Sequence, residues 1–132
     1  MHWLVYLVAG FIGLLLLMQY LVWHRARQSI GLSVQGTDAV DGPAYTDRRK
    51  VYYFYATHCG PCRAMSPLVD RLRESHRNLI KVDIAASPEL ARQFGIAATP
   101  SFILVEDGSI RQVRLGTQSE AQLLNLVRGS GR

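Results

Sequence analysis

From Trp3 to Trp23 the chain carries no Asp, Glu, Lys or Arg, and Gln19 is the one strongly polar residue in that stretch. A run of this kind cannot lie on a small soluble domain without exposing a large apolar face, so a folding core has to be sought downstream of it. As a helix rising about 1.5 Å per residue it reaches about 31 Å, which matches the hydrocarbon thickness of a bilayer. Trp3 and Tyr6 at one end, with Tyr20 and Trp23 at the other, put amphipathic rings at the depth of the two lipid interfaces. Residues 1–24 therefore read as a transmembrane anchor, with residues 3–23 in contact with membrane lipid. A cleaved secretory signal is the competing reading, and it fits less well. No Lys or Arg precedes the run, the run is long, and no small-residue cleavage site follows. Ala9 and Gly13 have the small-xxx-small spacing of helix dimers, but such spacing is common in any apolar helix.

With the anchor set aside, the 132-residue chain has room for one domain of about 100 residues. Residues 25–47 hold Ser29, Gly31, Ser33, Gly36, Gly42 and Pro43 and few large apolar groups, and read as a linker with one short edge strand at Leu32 to Val34. Residues 48–132 are the expected folded domain. All 15 Lys and Arg lie beyond the apolar run, against 10 Asp and Glu, so the formal charge of +5 belongs to the part outside the membrane. The charges are scattered and no aromatic-rich basic motif accompanies them, which argues for solvated helix faces or an anionic lipid surface and against nucleic acid. Arg25 and Arg27 follow the anchor directly, and the positive-inside rule then puts the domain on the cytoplasmic side of a bacterial inner membrane. Two arginines are a small bias, and a periplasmic domain is the alternative.

Val51 to Tyr55 form a continuous β-branched and aromatic run that suits a central strand buried on both faces. It stops at the polar segment Thr57 to Gly60. Pro61 fits the first turn of a helix, and Met65, Leu68, Val69 and Leu72 continue one apolar face to about His76, with Pro67 bending it. A strand at Leu79 to Ile84 follows, then a short helix opened by Ser87 and Pro88 and ended by Gly95. Strands at Ser101 to Glu106 and Ile110 to Leu115 are joined by Asp107-Gly108, a dipeptide suited to a tight hairpin. Ser119 and Gln122 form a capping box for a last helix to about Arg128. The order predicts an α/β fold with a mixed sheet of four, or with the edge strand five, strands flanked by helices.

Cys59-Gly60-Pro61-Cys62 falls at the junction of the first strand and first helix. The unpaired amides at a helix start favour a thiolate there, so Cys59 is the candidate nucleophile. Cys62, one turn later and more buried, is placed to attack a mixed disulfide. His58, if protonated, adds positive charge beside Cys59, although a lone histidine is as easily an ordinary surface residue. Zinc is the chemical rival, since Cys59, Cys62, His58 and His76 are all potential ligands. A structural zinc site needs four ligands on a rigid frame, and no second Cys or His pair stands at suitable spacing, so no metal is expected.

From about Val51 to Val127 the sequence resembles the thioredoxin family. Cys59-Gly60-Pro61-Cys62 is identical to that family's active-site motif, and Pro67 falls where its first active-site helix bends. Thr99-Pro100 is similar to the family's cis-proline dipeptide. Lys81, Gly108 and Gly116 stand at matching spacings. The resemblance implies a thioredoxin-like fold and thiol-disulfide exchange on oxidised substrate proteins. It also implies a substrate-binding role for Thr99 and Pro100, regeneration by a separate electron-donor reductase, and no bound cofactor. Gly60-Pro61 matches the reducing branch. Three departures stand out: His58 replaces a usual tryptophan, Tyr53 replaces a usual buried aspartate behind the cysteines, and the family's first strand and helix are not supplied in full. Tyrosine titrates near 10 and is a poor base at neutral pH, so deprotonation of Cys62 is expected to be slower or to use Lys81 or water. A tethered docking or assembly module that uses the Pro100 groove without redox turnover is the alternative function.

Overall fold

The computed structural model describes residues 1–44 and 46–129. The apolar run forms one helix, α1 (His2–Gln28), which is long and apolar enough to cross a membrane and whose large side chains from Trp3 to Leu21 stand exposed. From Trp3 to Trp23 it is apolar all round apart from Gln19, and its basic residues, Arg25 and Arg27, stand in the last turn. A short helix α2 (Asp38–Asp41) and a 3₁₀ turn (Gly42–Ala44) follow. The rest runs β1 (Arg49–Tyr55), α3 (Gly60–Arg73), β2 (Leu79–Asp83), α4 (Pro88–Gln93), β3 (Ser101–Glu106), β4 (Ser109–Leu115) and α5 (Glu120–Arg128).

The four strands make one mixed sheet in the order β2-β1-β3-β4. β1 pairs parallel with β2 and antiparallel with β3, and β3 pairs antiparallel with β4. Side chains alternate across a strand, so the run at Val51–Phe54 serves two cores at once. Val51 and Tyr53 face Met65, Val69 and Leu72 of α3 and Leu123, Leu126 and Val127 of α5. Tyr52 and Phe54 face the other side, where Phe94 sits with its ring 5.0 Å from each of theirs. Asp107 (φ 51°) and Gly108 (φ 77°) both have positive φ, as a primed hairpin turn between β3 and β4 demands. Ser119 and Gln122 form the expected reciprocal capping box on α5.

The structure departs from expectation in several places. Helix α3 ends at Arg73 rather than His76, and α4 ends at Gln93, before Gly95. Ser87 occupies the cap position of α4, but its side chain makes no capping bond. The edge strand at Leu32 to Val34 is reduced to a single bridge, Ser33 with Ser109, flanked by Val34 N–H to Gly108 C=O and Ile110 N–H to Leu32 C=O, 2.8 and 2.9 Å long.

The larger departure concerns the expected linker. Ala26, Ser29, Asp41 and Ala44 are all buried. Gly31 N–H reaches Ile110 C=O at 2.8 Å, and Ser29 packs so close to Gly95 that no Cβ fits there. Asp41 accepts from Tyr52 Oη and Lys50 Nζ, both at 2.6 Å, and from Thr37 Oγ1 at 2.8 Å. A polar segment can pack on a domain when its polar groups find partners inside, and these do.

Candidate functional site

β1 ends at Tyr55, at the carboxyl end of a central strand, and a turn carries the chain into α3 with Cys59 as the N-cap residue. Cys59 has extended backbone (φ −102°, ψ 114°), and its Sγ accepts the Cys62 backbone N–H at 3.2 Å. Pro61 lies in the first turn, where its missing N–H costs no bond. The two cysteines form a disulfide with Cα atoms 5.2 Å apart. Cys59 is half-buried, whereas Cys62 is only 1% exposed, so the first sulfur is the one a large partner can approach. The Cys62 N–H that Cys59 Sγ accepts in the disulfide form is one of the helix-start amides that stabilise a thiolate when the bond opens.

The second component comes from the start of β3. The Thr99–Pro100 peptide is cis, Pro100 is buried, and the Thr99 carbonyl oxygen lies 3.6 Å from Cys59 Sγ. In a disulfide that sulfur has no proton to donate, so this is a close contact rather than a hydrogen bond. Gly116 N–H donates to Pro100 C=O at 2.9 Å and ties the proline to the end of β4. Residues separated widely in the chain, Cys59 and Thr99-Pro100, thus share one surface.

Behind the cysteines stands Tyr53. Its hydroxyl donates to the Cys62 carbonyl at 3.1 Å and lies 3.3 Å from Ser66 Oγ. The ring is fully buried, stacked 4.9 Å from Phe102 and 5.6 Å from Tyr55. Burial pushes the Tyr53 hydroxyl above its ordinary value, with the Ser66 contact opposing, so it stays protonated at neutral pH. Lys81 Nζ is 3.2 Å from Asp70 and 4.8 Å above the Tyr55 ring. His58, Gly60 and Pro61 are exposed around the first cysteine. His76 is far off, bonded to Leu72 C=O beyond the other end of α3.

Two polar residues of this region escaped the sequence reading, Ser66 and Asp70. Both border a cleft of about 300 Å³ that Cys62 also lines. The signal was present, since Cys62, Ser66 and Asp70 follow one another at intervals of four and so share one stripe of a helix.

Residues 43–129 match the family model described as thioredoxin. The chain is 34% identical over 76 residues to the thioredoxin of Chlamydia muridarum, covering 56% of this chain and 74% of that one. It is 29% identical over 102 residues to the bifunctional thioredoxin reductase/thioredoxin of Mycobacterium leprae, which covers 74% of this chain and 22% of the longer protein. Among solved structures it is similar to a mutant thioredoxin from Halobacterium salinarum, with 30% identity, a TM-score of 0.61, and coverage of 76% of this chain and 89% of that one. A Cys-x-x-Cys pair at a strand-to-helix junction, inside a fold with this match over most of its length, leaves one assignment: the chain belongs to the thioredoxin family and is a thiol-disulfide oxidoreductase.

Proposed function

We propose that this chain is a membrane-anchored reductase of protein disulfides, with residues 1–24 as anchor, a short connecting segment to residue 47, and a catalytic domain beyond it. Of the residues given to that domain, 130–132 lie outside the described ones. The observation that carries the reading is the asymmetry of the pair: a reachable Cys59 sulfur 3.6 Å from the Thr99 carbonyl, backed by a buried Cys62. In the proposed reaction the Cys59 thiolate attacks one sulfur of a substrate disulfide, and the other leaves as a thiolate that takes up a proton. Cys62 then loses its proton and attacks Cys59 Sγ. The enzyme disulfide forms as the second substrate thiol leaves, and the substrate gains the two electrons the dithiol gives up.

Thr99 and Pro100 would hold an extended substrate segment beside the sulfur, with Gly60 and Pro61 shaping the helix start and His58 biasing its charge. A separate reductase would return the two electrons. The Mycobacterium leprae relative, named for both activities, supports a donor of the thioredoxin reductase class. Arg25 and Arg27 at the end of α1 support a cytoplasmic domain.

Cys62→Ser tests the reading directly. It should strand substrates on Cys59 as mixed disulfides that dithiothreitol releases, and the Cys59→Ser, Cys62→Ser double variant should trap none. Full cellular function of the double variant would leave only a docking role. Equilibration with glutathione should give a reducing potential; one as high as that of a periplasmic disulfide donor would refute the direction of transfer.

A further inference from the structure

The second step of the proposed reaction requires Cys62 to lose a proton in a buried place, and this part of the inference rests on the redox reading above. Tyr53, directly behind it, is spent as a donor to the Cys62 carbonyl and holds its proton, so it cannot take another. The cleft beside Cys62 offers a different route. It runs along one stripe of α3 past Ser66, half-buried and within 3.3 Å of the Tyr53 hydroxyl, to Asp70. Cys62 and Asp70 are eight residues apart, about 12 Å along a helix axis, too far for direct transfer but within reach of a hydroxyl and one or two waters. Pro67 lies in the middle of this stretch with no N–H for the Arg63 carbonyl, and both residues line the cleft, which gives a water there an acceptor. At its far end the Asp70 carboxylate is held by Lys81 Nζ at 3.2 and 3.4 Å.

We propose that Asp70 is the proton acceptor for Cys62, acting through Ser66 and water, so that the carboxylate serving the second cysteine is carried by helix α3 instead of strand β1. At rest the Ser66 hydroxyl donates to Tyr53 Oη, because the tyrosine proton is already given to the Cys62 carbonyl. For the transfer it turns toward the cleft water, and the proton then passes from Cys62 Sγ to Ser66 Oγ while the serine's own proton moves through that water to Asp70. The Cys62 thiolate then attacks Cys59, the substrate sulfur leaves with the bonding pair, and the proton on Asp70 returns to solvent and so to that thiolate. Asp70 is a positioning and relay residue, since it touches neither sulfur. The charged or titratable groups facing it are Lys81 on β2, Tyr53 and Tyr55 on β1, and Arg63 on α3.

The test uses the reduced full-length chain in detergent with the chromogenic disulfide 5,5′-dithiobis(2-nitrobenzoate), whose two thiol products report the two steps as successive phases in stopped flow. Asp70→Asn should leave the first phase as it is and slow the second about 100-fold at neutral pH, with a second phase that climbs steadily with pH as hydroxide replaces the carboxylate. Asp70→Glu should restore most of the rate. Lys81→Gln should slow it less than Asp70→Asn, whereas equal slowing would mean that Asp70 serves only to hold Lys81, and would overturn the relay. A second phase unchanged in Asp70→Asn, or both phases slowed alike, would overturn it too. Absence of a first phase in the unaltered protein would instead refute the redox reading itself.

Discussion

Asp41 lies in a segment that looks like linker, yet its side chain is 1% exposed and accepts from Tyr52, Lys50 and Thr37. Asp41→Ala removes all three acceptor contacts at once. A buried hydroxyl such as that of Tyr52, left without its acceptor, costs about 1–3 kcal/mol. Breaking a buried ion pair by removing one partner costs about 3–5 kcal/mol, and Lys50, 14% exposed at its side chain, can recover part of that from water. Allowing for that recovery, and for overlap between the two terms, the expected loss is about 3 kcal/mol. In a domain of this size it lowers the midpoint of thermal unfolding by about 12–24 °C. Asp41→Asn keeps one acceptor oxygen and should cost about half as much. Urea unfolding of the reduced chain in detergent measures both through the transition midpoint, with an unchanged slope showing that the native state is otherwise intact. Tyr52 points to the face of the sheet opposite α3, so alkylation of Cys59 should proceed at the unaltered rate in folded Asp41→Ala. A loss below about 0.5 kcal/mol would refute the reasoning, because it would mean the Asp41 contacts add nothing net and the segment is dispensable.

Two further outcomes follow from the same geometry. Tyr52 is held above the ordinary tyrosine value by burial and then by its bond to Asp41, and Tyr53 by burial. Below about pH 10 both are neutral folded or unfolded and contribute no pH dependence; above it the unfolded chain releases protons that the folded chain retains, so stability should fall as pH rises. Paired urea titrations across that range, with tyrosinate absorbance followed in the folded protein, check the sign, and a flat stability above pH 10 would contradict it. Gly95→Ala places a Cβ against the Ser29 hydroxyl in a backbone of φ +66°, and should destabilise by about 1–2 kcal/mol from the backbone alone, with more from the collision. Adding Ser29→Ala should relieve the collision and leave the backbone part, as read from the unfolding midpoint.

The element order, the hairpin at Asp107-Gly108 and the capping box at Ser119 could be read in advance because each is set by residues adjacent in the chain. The active pair was legible for the same reason, since Cys59 to Cys62 carry their spacing and helix start in one short run. Asp41 was not legible, because its one local partner, Thr37, does not mark it as buried, and the partners that do, Lys50 and Tyr52, lie on a neighbouring strand. Ser66 and Asp70 had a local signal in their spacing from Cys62, but what made it meaningful was Tyr53 arriving from β1 with its hydroxyl already committed.

Sequence by itself marked the one stretch long and apolar enough for a membrane span, the Cys-x-x-Cys pair at a strand-to-helix junction, and the unbroken apolar run that makes β1 central, all consequences of residue pattern and neighbour chemistry. Only the tertiary structure decided how the segment after α1 is tied down, how close Thr99 comes to Cys59, and which polar groups border Cys62. Those depend on contacts between residues far apart in the chain, and such contacts exist only once the sheet has closed and its two faces are packed.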